Sequence, residues 1–279
     1  MMLKINFIPK EDPLWVCLVQ KLPKKKIKNG STQNNHHRCG ATRIGAAIAK
    51  KLSGPNKELV LHFNKSKSKA LILKKKLEGN GTKVYLVKGD LSKEKDIIKI
   101  IKLAKSKLKY FDCLVNNASL FENDKLANFN NKSWEKHIST NLKAPALLTK
   151  EFSKNIRGNN NNIINIIDQR IFKLTPYFFS YTISKSGLYT LTKTSAMSLS
   201  PKIRVNGIAP GPTIKNQRQT EKHFKKQYLA TPLKRQVDVN EICNAVDFFI
   251  KSRSITGQVL AIDSGQSLNW QTPDVLGKE

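Results

Sequence analysis

Acidic residues, arginine and cysteine are all scarce in this 279-residue chain, and it has no long hydrophobic run. With 50 Lys+Arg against 20 Asp+Glu the formal net charge is +30, and most of the excess is lysine. Nucleic-acid readers favour arginine, whose planar fork matches phosphates and base edges. Here the lysines are scattered over every segment. That pattern reads as a compositional bias toward Lys and Asn on solvated faces, so no nucleic-acid partner is expected. A basic surface still attracts anionic small molecules. Four widely spread cysteines make no disulfide framework and point to a reducing, cytoplasmic compartment. No apolar run approaches the roughly 18 residues of a membrane span, so no membrane association is expected. His36, His37 and Cys39 have no distant partner set, so no metal is assigned.

The charged fraction of 25% is ordinary, and 39% hydrophobic residues suffice for a core, which excludes global disorder. Residues 1–30 mix short apolar pieces with Pro9, Pro13, Pro23 and the run Lys24-Lys25-Lys26. They lack the continuous apolar stretch of a secretory signal and are read as an N-terminal extension, disorder being one reading. Residues 31–270 form the domain and 271–279 a tail.

From residue 59 onward strands and helices alternate. Leu59–Phe63, Val84–Val87, Cys113–Val115, Ile163–Ile167, Ile203–Ile208 and Val259–Ile262 read as strands. Ser66–Leu77, Ser92–Leu108 and Tyr181–Leu199 read as helices. Ser133 is the expected cap of another helix, and the Asn-rich stretch Gly158–Asn162 is expected to be loop. Asp238 and Glu241 have capping-box spacing. Strands separated by helices predict a parallel sheet covered on both faces.

Chemistry concentrates at the expected strand ends, where open α/β sheets bind ligands. Tyr181 and Lys185 are i and i+4 on one helix face. A free phenol ionises near pH 10, about three units above neutrality, and a neighbouring ammonium is expected to lower that value. Asn116-Asn117-Ala118 follows one strand and Asp168 ends the next, 13 residues before Tyr181. Asn141 lies on the helix between them, and Pro210-Gly211-Pro212-Thr213 follows a later strand.

In order and spacing these motifs resemble the short-chain dehydrogenase/reductase family over about residues 40–270. Asp168, where most members carry Ser, and Ser119-Leu120-Phe121 after the Asn-Asn-Ala motif resemble the family's pteridine reductases. The resemblance implies a doubly wound, Rossmann-like three-layer αβα fold with a mainly parallel seven-stranded sheet. It also implies an oxidoreductase that uses NADPH to reduce a carbonyl or C=N bond of a small molecule, with a pterin-like substrate favoured. Tyr181 would relay or donate the proton, and Lys185 would lower the Tyr181 pKa and hold the nicotinamide ribose. Asp168 would orient substrate or water, and Asn141 would hold a relay water. Ser119 and Phe121 would contact substrate, the Phe121 ring stacking a flat heteroaromatic. Two plainer readings stay open: Phe121 as a core or loop aromatic, and Asp168 as a strand-end acid capping nearby N–H groups. Pro212–Tyr228 would cover the substrate, and copies would associate as dimers or tetramers.

For the cofactor, NAD-preferring members place an acid at the end of the second strand. Here that end reads Phe63-Asn64-Lys65-Ser66, and Arg43 lies in the glycine loop. Lys65, Ser66 and Arg43 suit a 2′-phosphate, hence NADPH. Gly40, Ile44 and Gly45 belong to the loop itself, Asp90 and Leu91 to the adenine side. Asn117, Ala118, Pro210 and Gly211 complete the cofactor edge.

One departure stands out. Aligned on Gly45, Cys39 falls on the family's first motif Gly and Arg38 on its Thr. The polar stretch Asn29–His37 cannot be the apolar strand that should precede them. The first strand is displaced to Leu14–Val19, or lost with the cofactor site damaged, or the segment before residue 40 is out of frame. The abrupt start of the match at Gly40 favours the third. If the loop is damaged, the alternative function is a catalytically impaired binding or scaffold protein of this fold.

Overall fold

The computed structural model describes residues 16–21, 43–216 and 218–270. Seven strands form one sheet: β1 (Val16–Lys21), β2 (Lys57–Phe63), β3 (Lys83–Lys88), β4 (Cys113–Asn116), β5 (Asn161–Ile166), β6 (Ile203–Pro210) and β7 (Val259–Ile262). Their order across the sheet is β3-β2-β1-β4-β5-β6-β7. Strand β2 shows why both faces are covered. Its residues Leu59, Leu61 and Phe63 enter one hydrophobic cluster and Val60 the other, the period-two alternation of a strand. The first cluster takes α1 (Ile44–Leu52), α2 (Lys67–Glu78) and α8 (Val239–Lys251) through Ile48, Leu73 and Phe249. The second takes α3 (Glu94–Lys107), α5 (Ala144–Ser153) and α6 (Phe179–Leu199) through Ile100, Phe152 and Ala196. This is the expected three-layer αβα arrangement.

The displaced first strand is the structure's answer to the degraded N-terminal motif. Val16–Lys21 fills the slot between β2 and β4, but antiparallel to both. Val16 lies opposite Asn116, the last residue of β4, and Lys21 opposite Lys57, the first of β2. The strand therefore ends at the amino edge of its neighbours and delivers the chain away from the edge where ligands bind. Its pairing places residues 16–21 in the sheet; the rest of residues 1–30 lies outside the described residues. The other four pairings, β2 with β3 and β4 through β7, are parallel. The slot sits between two apolar strands, and leaving it empty would strand two rows of backbone hydrogen-bonding groups.

Two local expectations change. Helix α4 (Asn131–Ile138) is capped by Asn130, whose side chain accepts the Ser133 N–H at 2.9 Å. Ser133 instead turns its hydroxyl to Asp124. Asn161 and Asn162, expected in a loop, are buried residues of β5. The Asn161 amide donates to Gly158 O and Lys202 O, which offsets burying it. The Asp238–Glu241 capping box is present at the start of α8.

Between α4 and α5 the chain makes one π-type turn over Ser139–Lys143, and Asn141 lies in it. Such turns are inserted residues in an otherwise α-helical run and recur at functional sites. Gly187 of α6 lets that helix approach the turn: a Cβ there would come 2.7 Å from Leu142 Cδ2.

Candidate active site

The segments that follow β4 and β5 and the first turns of α6 converge on Tyr181. Its Oη donates to Asp168 Oδ2 at 2.7 Å, and Asp168 Oδ1 accepts the Arg170 N–H at 2.9 Å. Asp168 is thus both a strand-end cap and the phenol's partner. Asn141 is fully buried and clamps the β4 loop. Its Oδ1 accepts the Leu120 N–H at 2.8 Å, and its amide donates to Leu120 O and to Ser184 Oγ. Both amide hydrogens are therefore committed to protein, and this side chain fastens the loop. Ser184 Oγ in turn donates to Tyr181 O.

The electrostatics reverse one expectation. The Tyr181 phenol is held well above its ordinary value of 10, first by burial and then by the charge and hydrogen bond of Asp168. Arg170 and a Ser119 hydrogen bond pull weakly the other way. The Lys185 ammonium donates to Ile166 O at 2.8 Å and lies 5.9 Å from the Tyr181 ring centroid. Burial pushes Lys185 itself down to about 8, opposed by Asp168. The ammonium is 1% exposed and faces no carboxylate directly. The arrangement holds the protonated phenol against the Asp168 carboxylate.

Phe121 packs edge-on against Tyr181, centroids 4.6 Å apart, and stacks nearly parallel on Phe178 at 4.4 Å. Arg170 lies over Phe178 and Arg218 over Phe121, and Arg218 also donates to Phe121 O. The structure thus places Ser119 and Phe121, the expected substrate residues, beside Tyr181. Phe178, Arg170 and Arg218 carry no recognisable sequence motif and were not anticipated. Phe178 has a left-handed backbone, φ 58°, as the cap of α6, which directs its ring toward Phe121.

The expected cofactor residues occupy the same edge. Arg43 caps α1, its carbonyl accepting the Ala46 and Ala47 N–H groups. Ile44 and Gly45 open that helix; Gly40 lies outside the described residues. Asn64, Lys65 and Ser66 form the turn between β2 and α2. Burial raises the Asp90 carboxyl, but hydrogen bonds from Ser92 and the charges of Lys93 and Lys65 bring it below its usual value. Lys65 therefore faces the β3 end, and the β2 end itself carries no acid. That donor set fits a dinucleotide with an extra phosphate. The Leu91 side chain is buried in the core, which leaves only its backbone for a ligand. Asn117 and Ala118 follow β4 directly, half-buried. Pro210 ends β6, and Gly211 must be glycine because a Cβ would come 2.6 Å from Asp263 Cα.

Comparison with known proteins agrees with this geometry. A family model described as enoyl-(acyl carrier protein) reductase matches residues 40–267. The 3-oxoacyl-[acyl-carrier-protein] reductase FabG of Staphylococcus epidermidis is 29% identical over 233 residues, 81% of this chain and 96% of that protein. The dihydromonapterin reductase of an Enterobacter species is 23% identical over 186 residues, 66% of this chain and 78% of that one. The crystal structure of FolM alternative dihydrofolate reductase 1 from Brucella suis in complex with NADP superposes with a TM-score of 0.78. It is 38% identical and covers 84% of this chain and 94% of that one.

Proposed function

This chain belongs to the short-chain dehydrogenase/reductase family of oxidoreductases, and on that footing we propose that it reduces a C=N or C=O bond of a flat, pterin-like substrate with NADPH. The observation that carries the reading is the 2.7 Å hydrogen bond between Tyr181 Oη and Asp168, set beside the Phe121 ring. Two relatives, the Brucella and Enterobacter reductases, support it by name.

Bound NADPH supplies a hydride; the rest falls to the chain's own residues. Arg43, Lys65 and Ser66 hold the 2′-phosphate side, and Gly40, Ile44 and Gly45 the pyrophosphate side. Asp90 and the Leu91 backbone hold the adenine side. Asn117, Ala118, Pro210 and Gly211 border the nicotinamide end. Lys185 spends one ammonium hydrogen on Ile166 O and keeps the others for the ribose. Tyr181 stays protonated at neutral pH and donates from Oη to the substrate heteroatom. Asp168 orients the phenol and assists its reprotonation. Ser119 and Phe121 orient the substrate ring. Association of copies into dimers or tetramers belongs to the same proposal.

The test is NADPH oxidation by the purified chain with 7,8-dihydropterins, dihydrofolate and simple ketones side by side. Turnover of the pterins above the ketones is expected, and a preference for simple ketones refutes the substrate assignment. The reversed β1 favours a second reading, an impaired binding protein of the same fold. Fluorescence titration with NADPH separates the two: tight binding supports the enzyme, and no binding supports the second reading.

A further inference from the structure

Beside Tyr181 lies a buried group that the proposed chemistry does not use. His137 of α4 is fully buried, its ring 6.2 Å from the Tyr181 ring and edge-on to it. Its Nε2 accepts the Glu122 N–H at 3.1 Å. The proton of the neutral ring is therefore on Nδ1, which lies 2.8 Å from Ser180 Oγ. Ser180 is also buried, and its hydroxyl donates onward to Asp124 Oδ2. Asp124 closes the circuit. Its Oδ1 accepts the Ser180 N–H, its carbonyl accepts the Phe179 N–H, and its Oδ2 accepts from Ser133 Oγ. Three pieces of chain meet here: α4, the loop Leu120–Asp124 that carries Phe121, and the first turn of α6 that carries Tyr181.

We propose that His137 is a positioning residue, whose neutral ring fastens the Phe121 loop to the start of α6 and so sets the spacing between Phe121 and Tyr181. Only one ring state does this. Once protonated, Nε2 becomes a donor facing the Glu122 N–H, and the loop loses that anchor. The charged groups facing the ring are Asp124 and Glu122 from the loop, which favour protonation, and Arg218 from the segment before α7 (Glu221–Leu229), which opposes it. Burial outweighs the two acids and holds the imidazole below its ordinary 6.5, so the latch is closed at neutral pH and opens on acidification. The functional consequence rests on the reading of Tyr181 and Phe121 as substrate residues; the latch itself does not.

Two variants and two readouts test this. H137Q keeps an acceptor within reach of Glu122 but does not titrate. H137N keeps a donor near Ser180 and withdraws the acceptor. Amide hydrogen exchange of residues 120–124, measured from pH 8 to pH 5 and corrected for intrinsic rate, needs no substrate. It should rise on acidification in the native chain, stay flat in H137Q, and be high at every pH in H137N. Equal pH dependence in the native chain and H137Q overturns the proposal. With 7,8-dihydropterin as substrate, H137N should raise KM about fivefold to tenfold, the loss of roughly one hydrogen bond, with kcat little changed. H137Q should keep the native KM and lose its acid-side rise. If H137Q is impaired as much as H137N, the role is packing alone and the proposal falls. If the native chain turns over no pterin, the substrate reading fails while the exchange experiment still decides the latch.

Discussion

Replacing Lys185 with Met should make the stability of this protein respond differently to pH. Burial takes the ammonium from 10.5 down to about 8. At about 1.4 kcal/mol per tenfold change in acidity, that is about 3 kcal/mol held against the charged form in the fold. Because the folded value is the lower one, the unfolded chain binds the extra proton between the two. Stability contributed by this residue is therefore fully present above pH 10.5 and lost as pH falls through about 8. Met has nearly the same shape and no charge. It also strands Ile166 O, a cost of about 1 kcal/mol that does not vary with pH. Denaturant unfolding of both chains from pH 7 to pH 11, without cofactor, isolates the term, because the many other lysines cancel in the difference. The native chain should gain about 3 kcal/mol on K185M across that range. Parallel curves would refute the claim that burial holds this ammonium below its ordinary acidity range. K185M should have lost its turnover throughout.

Tyr181→Phe should lower kcat by about a hundredfold or more, the usual share of a positioned acid, with NADPH affinity retained; near-native turnover removes Tyr181 from the proton path. Lys65→Glu places an acid where a 2′-phosphate is proposed to sit, so the ratio of kcat/KM for NADPH over NADH should fall at least about tenfold. An unchanged ratio sends the phosphate elsewhere. Gly187→Ala forces a methyl against Leu142 at 2.7 Å and should cost about 1–3 kcal/mol by chemical unfolding. A neutral result means that the π-type turn yields easily.

Periodicity and local chemistry made much legible in advance. The run Leu59–Phe63, buried on both sides, had to be an interior strand, and Asp238 with Glu241 had to start a helix. The short-range motif Tyr181–Lys185 and the strand-end residue Asp168 meet as their spacing suggests, because spacing along one element fixes which face a side chain shares. Ser133 misled because Asn130, three residues earlier, starts the helix first and its side-chain oxygen accepts the Ser133 N–H. The latch around His137 left no trace, since Asp124, His137 and Ser180 come from separate segments.

What the chain's order of residues determined by itself is the alternation of strands and helices and the identity of the groups at one sheet edge, since both follow from patterns a few residues long. Packing decided the rest. It reversed the direction of Val16–Lys21, because the vacant slot between β2 and β4 demanded backbone partners more than it demanded a polarity. It turned the Lys185 ammonium to a carbonyl and the Tyr181 phenol to a carboxylate, and it set both acidities through burial, a property no stretch of sequence carries alone.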